Sequence, residues 1–295
     1  MIEELKSFIS VVEFKNFTKA ANYLNLSQPS VSNHIKSLER YFNTKLIDRS
    51  IKQKKIFITD SGELLYKRAK EILNLLNMTI EELHNTDENI NGHLRIGASL
   101  TIGEYILPNF LKSFSNKYPN IEIEVLIENT ASICDKLSKV SLDIGLIEGS
   151  ISKHNLNQTY FYEDNMVLAI PNEVKFNSDK FDLENLTDCV WIGREKGSGT
   201  REYLDMFLNS YKINPKNLIV FGSNYAVKEA VRNNLGITVI SNLVASPAYE
   251  NNELKIIPLD NRFARNFSYI LANNITPSKI TNLFIMNLKE FVQKL

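Results

Sequence analysis

The chain is poor in the residues that most small-molecule chemistry needs. Only two cysteines occur in 295 residues, Cys134 and Cys189, far apart. A disulfide-stapled scaffold is therefore excluded, and reduced thiols in a cytoplasmic protein are the expectation. The four histidines, His34, His84, His93 and His154, are scattered, and none stands at metal-ligand spacing from a cysteine or a carboxylate. Glycine numbers only 11 and forms neither a Gly-x-Ser-x-Gly elbow nor a dinucleotide fingerprint. Gly197-Ser198-Gly199-Thr200 lacks the lysine of a P-loop. No catalytic residue, metal ligand or cofactor is assigned, and an enzyme is not expected. No apolar run reaches the ~18 residues of a membrane span. The start, Met1-Ile2-Glu3-Glu4-Leu5-Lys6, is acidic and enters an amphipathic pattern at once, so no signal peptide is expected.

Net charge is also missing, with 34 basic residues against 34 acidic, but the balance is uneven along the chain. Residues 1–65 hold 10 Lys+Arg and 7 Asp+Glu, and residues 36–55 hold 7 against 2. A basic stripe at one end of a neutral protein fits nucleic acid bound by that end, and it also fits a merely soluble face.

That end is helical. Leu5, Phe8, Ile9 and Val12 fall at helical spacing, and Asn16-Phe17 breaks the pattern. Thr18 is read as the cap of a short second helix, Lys19 to Leu24. Asn25-Leu26 makes a turn, and Ser27 caps a third helix with Pro29 in its first turn. Val31, Ile35 and Leu38 point inward, leaving Ser30, Asn33, His34 and Ser37 outside. Two helices joined by a short turn make a helix-turn-helix whose second member fits the major groove. Gln28 can bond adenine in bidentate fashion, Ser32, Asn33 and His34 can reach neighbouring bases, and Thr18 and Lys36 suit phosphate. Ser27, Pro29, Ser30 and Arg49 complete the candidate contacts. Leu46–Arg49 and Ile56–Ile58 read as a small β-wing whose turn carries Lys52, Lys54 and Lys55 for the DNA backbone. A long helix follows from about Glu63 to His84. Its near-heptad apolar series, Leu65, Ala69, Ile72, Leu76 and Leu83, either pairs with a second copy or lies on its own domain.

Beyond the polar linker Asp87–Gly92, strands and helices alternate, predicting parallel sheets covered by helices in two similar lobes. Strands are expected at 94–98, 121–127, 143–147, 165–170, 190–192, 218–221, 237–240 and 267–271. Helices are expected at 102–114, 133–139, 201–209, 225–233 and 280–292. Ligands of open sheets sit beyond strand ends, against helix starts. The candidate contacts there are Ser99, Leu100 and Thr101, Asn129 and Thr130, Ser223, and the loop Arg194 to Arg201. In that loop Gly197 and Gly199 would admit backbone N–H groups to an anion, Ser198 and Thr200 add hydroxyls, and Arg194, Lys196 and Arg201 could neutralise it. An ordinary glycine turn with a threonine cap reads the same way. Glu148 would repel an anion unless it faces away or pairs with a cation.

The run Phe17-Thr18-Lys19-Ala20-Ala21-Asn22-Tyr23-Leu24-Asn25-Leu26-Ser27-Gln28-Pro29-Ser30-Val31-Ser32, continued by Ile35, Leu38-Glu39, Leu46, Arg49 and Thr59-Asp60-Ser61-Gly62, closely resembles the N-terminal signature of the LysR-type transcriptional regulators. Asn43, Ile47 and Asn33 depart from it, standing where Gly, Phe and Arg are usual. The resemblance implies three parts. Residues 1–60 form an all-α winged helix-turn-helix DNA-binding domain. Residues 61–90 form a linker and dimerisation helix. Residues 91–295 form an α/β, two-lobed, periplasmic-binding-protein-like effector-binding domain, with lobe I about 91–163 and 269–295 and lobe II about 164–268. Promoter DNA, a small-molecule effector, further copies of the chain as homodimer or homotetramer, and RNA polymerase are the implied partners, without a membrane. Ile96–Pro108, Leu142–Gly149 and Trp191–Glu202 resemble one subgroup, which includes regulators of sulfite reductase and cysteine biosynthesis genes. It implies a small sulfur oxyanion such as sulfite as effector and sulfur-assimilation genes as targets. An organic acid or other metabolite, or a thiol redox signal, is the alternative within the same family.

Overall fold

A computed structural model of the chain describes residues 1–50, 55–84, 90–151, 155–173, 186–273 and 275–294, without the side chains of residues 49, 50, 55, 81, 82 and 84. Lys52 and Lys54 of the wing, residues 87–89 of the expected linker and His154 therefore lie outside the described residues. The chain forms two compact units, Met1–His84 and Asn85–Leu295.

In the first unit, α1 (Ile2–Phe14), α2 (Phe17–Tyr23) and α3 (Gln28–Tyr41) precede the antiparallel strands β1 (Ile47–Ser50) and β2 (Lys55–Ile58), and α4 (Asp60–His84) follows. The spacing of Leu5, Phe8, Val11 and Val12 puts one face of α1 into a core shared with Ala20, Ala21, Val31, Ile35, Leu38, Leu46 and Ile47. Alanines at 20 and 21 let α2 approach closely. The cap of α2 is Asn16, whose side chain accepts from the N–H groups of Thr18 and Lys19. Thr18 is thus inside the helix and exposed, correcting its expected role as cap. Asn25 and Asn43 both take left-handed backbone, φ 54° and 49°, at the turns after α2 and α3. Asparagine tolerates that conformation, so Asn43 can stand where the resemblance implied glycine.

Thr59 and Gly62 clamp the start of α4 to the wing. Thr59 Oγ1 donates to Lys45 O and accepts from Gly62 N. A Cβ at Gly62 would lie 2.2 Å from the Leu46 carbonyl oxygen. Gly62→Ala should therefore force the wing off the helix and cost about 1–3 kcal/mol, read by urea unfolding of the full chain. A variant as stable as its parent would show that the two are not clamped. Along α4, Leu65 and Ala69 are buried in their own unit, while Ile72, Leu75, Ile80 and Leu83 are exposed. The heptad series thus splits. Its first two members pack at home, and the later turns carry the apolar surface.

In the second unit, β3 (Gly92–Ala98) leads into a π-helical turn (Ile102–Ile106) and α5 (Leu107–Lys117). β4 (Ile121–Ile127), α6 (Thr130–Ser138) and β5 (Ile144–Glu148) complete the first lobe's βα units, and β6 (Leu156–Pro171) then runs 16 residues. The remaining elements are β7 (Val190–Arg194), α7 (Gly199–Ser210), β8 (Asn217–Phe221), α8 (Asn224–Arg232), β9 (Thr238–Ser241), α9 (Asn242–Glu250), β10 (Leu254–Pro258), a 3₁₀ turn (Asn261–Phe263), β11 (Ala264–Ala272) and α10 (Lys279–Val292). The strand order is β10-β6-β11-β5-β3-β4, with β9 also on β6. β7 and β8 pair in parallel and meet the β9 end through a bridge between Trp191 and Ile237.

The first half of β6 pairs with β11, and from Met166 onward it pairs with β9 and β10. The two long strands therefore link the lobes as one antiparallel ribbon. This corrects the expectation of purely parallel sheets. β3 with β4 and β5 is parallel, but β11 runs against β5 and β6, and β9 and β10 run against β6. A chain that crosses to a second lobe and returns must make its two crossings in opposite directions. α9 and β10 were not expected, since Pro247 inside α9 breaks the helical reading. The lobes have cores on both sheet faces, centred on Phe110, Phe114 and Phe284, and on Ile133 and Ile270, in the first. Trp191 with Phe207, and Val227 with Val244, centre those of the second.

Candidate DNA-reading helix and effector cleft

α3 presents its reading face because its other face is core. Gln28, Pro29, Asn33, Lys36 and Ser37 are exposed opposite Val31, Ile35 and Leu38. Ser27 caps the helix by accepting from Ser30 N, and its hydroxyl meets Ser30 Oγ at 2.7 Å. His34 does not join this face. Its Nδ1 shares a hydrogen bond of 2.7 Å with Ser7 Oγ, and Ser7 is fully buried in α1. That bond ties the Nδ1 side of the half-buried ring to α1. Glu39 is a structural residue that sequence reasoning passed over. Its carboxylate accepts from the N–H groups of Leu46 and Ile47 and so fixes the wing to α3. Arg49 and Lys55 lie on the wing strands, and their side chains are not described.

In the second unit the candidate residues converge, joined by one that the sequence did not single out, Arg265. It heads β11 directly across from Asp164 of β6. Its guanidinium is wholly buried, donating to Asp164 at 2.6 Å, to Glu148 at 2.7 Å, and to the hydroxyls of Thr200 and Thr101 at 3.1 and 3.0 Å. Glu148, at the end of β5, accepts Thr101 N–H at 2.8 Å with one oxygen and the Thr200 hydroxyl at 3.2 Å with the other. The acid that was to repel an anion is therefore paired. Burial works to raise its pKa, but Arg265 and the Thr101 bonds prevail and hold it below the ordinary carboxylate value. Burial pushes Asp164 the other way, above its ordinary value, against the pull of Arg265.

The glycine loop also turns inward. Arg194 bonds Glu195 and, at 2.6 Å, Asn224 Oδ1, while Asn224 Nδ2 donates to Thr101 Oγ1. Arg201 is held by Asp205 and the Arg194 carbonyl. These two arginines are thus engaged with the chain's own acceptors rather than spare for a ligand, and Lys196 is exposed. Gly197, at φ 89°, accepts from Ala131 N, and a Cβ on it would lie 2.9 Å from Ala131. A Cβ on Gly199 would lie 2.7 Å from the Glu148 carbonyl. Both glycines thus permit close packing within the chain. Asn129 caps α6 and donates to Glu195, Thr130 donates to Glu148 O, and Ser223 caps α8. The Leu100 side chain is buried. Ser198 is buried at the N-cap position of α7.

One polar atom stands apart. Among the described residues, Ser99 Oγ is the buried side-chain oxygen or nitrogen without a partner at hydrogen-bonding geometry, though it lies close enough to the Glu148 carboxylate to help hold it ionised. It sits with Thr101 where the β3 strand turns into the helix. Among the described residues no group of three or more His, Cys, Asp or Glu could hold a metal ion, and no helix is long and apolar enough to cross a membrane.

Comparison with known proteins matches both units. Residues 2–63 match the family of bacterial regulatory helix-turn-helix proteins, lysR family, and residues 87–293 match the LysR substrate binding domain. The chain is 41% identical over 291 residues, 98% of its length and 97% of the relative's, to the HTH-type transcriptional regulator CysL of Bacillus subtilis. Among solved structures, a full-length OxyR variant of Pseudomonas aeruginosa has a similar fold at TM-score 0.75 and 18% identity, covering 99% of this chain and 94% of that one. Full-length CbnR complexed with its target DNA is similar at TM-score 0.64 and 19% identity, covering 100% and 99%. These relatives are regulators rather than enzymes, and with both family models matched in order along its length the chain belongs to the LysR family of transcriptional regulators, with a helix-turn-helix that binds DNA and a two-lobed domain that binds a small-molecule effector.

Proposed function

We propose that this regulator senses a small sulfur oxyanion, sulfite, in the cleft between its lobes and controls sulfur-assimilation genes from the cytoplasm. The observation that carries the reading is the buried Ser99 hydroxyl, which has no partner at hydrogen-bonding geometry and stands two residues from Thr101, whose N–H meets the same Glu148 carboxylate as the Thr200 hydroxyl of α7. Helix starts favour negative charge, and a small anion with several acceptor oxygens satisfies such a donor set. The Glu148 charge is not bare, being paired with Arg265. In this reading Ser99, Leu100 N–H, Thr101 and Thr200 form the seat, with Asn129, Thr130, Glu148, Arg194, Gly197, Ser198, Gly199 and Ser223 as its frame.

On the DNA side, residues 1–60 read the operator with Gln28, Ser32, Asn33 and neighbouring Pro29 and Ser30. Thr18, Lys36, Arg49, Lys52, Lys54 and Lys55 position the backbone. The dimerisation segment 61–90, described as α4 up to His84, pairs two copies so that their reading helices enter successive major grooves. Effector in domain 91–295 favours one lobe geometry and one assembly, a dimer or tetramer, and so changes the bend of the promoter that RNA polymerase meets.

The test is thermal unfolding of the full chain with sulfite, sulfate, thiosulfate, phosphate, O-acetylserine and aromatic acids. Sulfite at a hundred times its Kd should stabilise by about 2.7 kcal/mol, and Ser99→Ala should remove most of that shift. Stabilisation by an organic acid alone, or a sulfite shift untouched by Ser99→Ala, would end the proposal.

A further inference from the structure

We propose that Glu148 is a built-in ligand: its carboxylate occupies the anion seat and latches the two lobes, so that the effector enters by exchange with it. The inference rests on the cleft reading above for the identity of the competing anion, but not for the latch itself.

The carboxylate is placed as a bound anion would be. One oxygen takes the N–H of Thr101 at the first lobe's helix start, and the other takes the Thr200 hydroxyl at the start of α7 in the second lobe. A buried guanidinium, Arg265, balances it from the strand that joins the lobes. Its backbone is held from the same two sides, since Thr130 Oγ1 donates to its carbonyl and the missing side chain of Gly199 lets α7 pack directly on it. Three further bonds cross the same gap, Asn224 to Thr101, Asn129 to Glu195, and Ala131 N–H to Gly197 O. The cleft is thus bridged by the chain's own groups. An oxyanion that reaches Ser99 must compete for the Thr101 N–H and the Thr200 hydroxyl. The latch sets the fraction of molecules open to it, and the apparent affinity falls with that fraction. Of the two donors, the Thr200 hydroxyl is the one that crosses between lobes, so its turn from Glu148 to the ligand removes a bond from the lobe contact and links occupancy to lobe geometry.

A side chain that stands in for a ligand can be replaced by a free one. In full-length Glu148→Ala, whose missing side chain leaves a carboxylate-sized space beside Arg265, the thermal midpoint should fall, and sodium formate should restore it saturably while equal sodium chloride does not. Formate should leave the parent protein unmoved. Absence of formate-specific rescue, or an equal gain by the parent, overturns the proposal. Should Glu148→Ala not fold, Glu148→Gln decides. It keeps the shape but weakens the acceptor, so sulfite should bind about tenfold more tightly than to the parent. Equal or weaker binding would make Glu148 part of the seat rather than its occupant. If sulfite binds neither protein, the sulfite reading fails while rescue by formate still upholds the latch. Thr200→Val cuts the second lobe's end of the latch and should raise the radius of gyration in small-angle scattering, and an unchanged radius counts against it.

Discussion

Arg265→Met should lower the unfolding free energy of the full chain by about 3–5 kcal/mol, the cost of leaving buried carboxylates without their cation. The side chain is 0% exposed, and Glu148 and Asp164, its two partners, are each 2% exposed. Methionine fills much of the same volume, so the loss reports charge rather than a cavity. Arginine is needed because one planar group reaches Asp164 through Nε and Glu148 and Thr101 through its two other nitrogens. Lysine, with a single point of charge, should recover only part of the loss. Asp164→Asn in the Arg265→Met background should restore stability, since it removes one stranded charge. Asp164 is the acid to relieve because burial already raises its pKa, whereas Glu148 is held ionised by the helix start as well as by Arg265. Urea unfolding at neutral pH measures both. A single-variant loss below about 1 kcal/mol, the scale of an ordinary surface change, would show that the triad is not a buried ionic unit.

The second large effect concerns α4. Ile72→Asp with Leu83→Asp should abolish pairing of two copies and reduce operator affinity by about 10²–10⁴, the gain that a second tethered binding unit supplies. The two side chains are 51% and 80% exposed, and Leu75 and Ile80 continue the same apolar surface. Carboxylates there face water in a lone helix and each other in a pair, so folding of the first unit should survive while association does not. Sedimentation and a DNA-binding titration at fixed salt check it. A doubly substituted protein that still associates and binds the operator like the parent would assign pairing to another surface. The heptad series divides along the helix: Leu65 and Ala69 belong to the unit's own core, while Ile72 and Leu83 are exposed and are the positions at which pairing is tested.

The helix-turn-helix was legible because its signals are local. Ser27 ahead of Pro29, and Val31, Ile35 and Leu38 at helical spacing, are read within one turn of each other and are what the structure uses. Locality also explains the misassigned cap, for Asn16 and Thr18 are both capping residues two positions apart, and only the backbone dihedral of Asn16 separates them. His34 looked like a base reader because it follows Asn33, but its partner Ser7 lies 27 residues away. The loops of the cleft were found from strand ends followed by Ser, Thr and Gly. Their meaning was not, because it depends on who faces them. Arg265 is 117 residues from Glu148 and 101 from Asp164. No periodicity couples such positions. The one signal was an arginine opening the apolar strand Phe267–Leu271, a place where a charge needs a reason. With it unseen, Glu148 read as an obstacle to an anion, and Arg194 and Arg201 as spare cations, when each already had its acceptor in the chain.

The antiparallel pair of β6 and β11 has a mechanical consequence. A two-stranded ribbon resists bending within its own plane, since that would stretch the ladder of bonds along one edge, and it yields to twist about its long axis, which strands adopt at little cost. The ladder is already irregular between Phe267 and Ser268, one turn of the pleat from Arg265, and β6 changes partners at Met166, two residues beyond Asp164. The softest place in the ribbon thus lies beside its most tightly bonded side chains. Torsion is therefore the motion between the lobes that the ladder itself opposes least, and the Arg265 bonds to Glu148, Asp164, Thr101 and Thr200 stand where it would act. Exchanging an acceptor at that guanidinium would be felt as a turn of one lobe on the other rather than as a hinge-like opening.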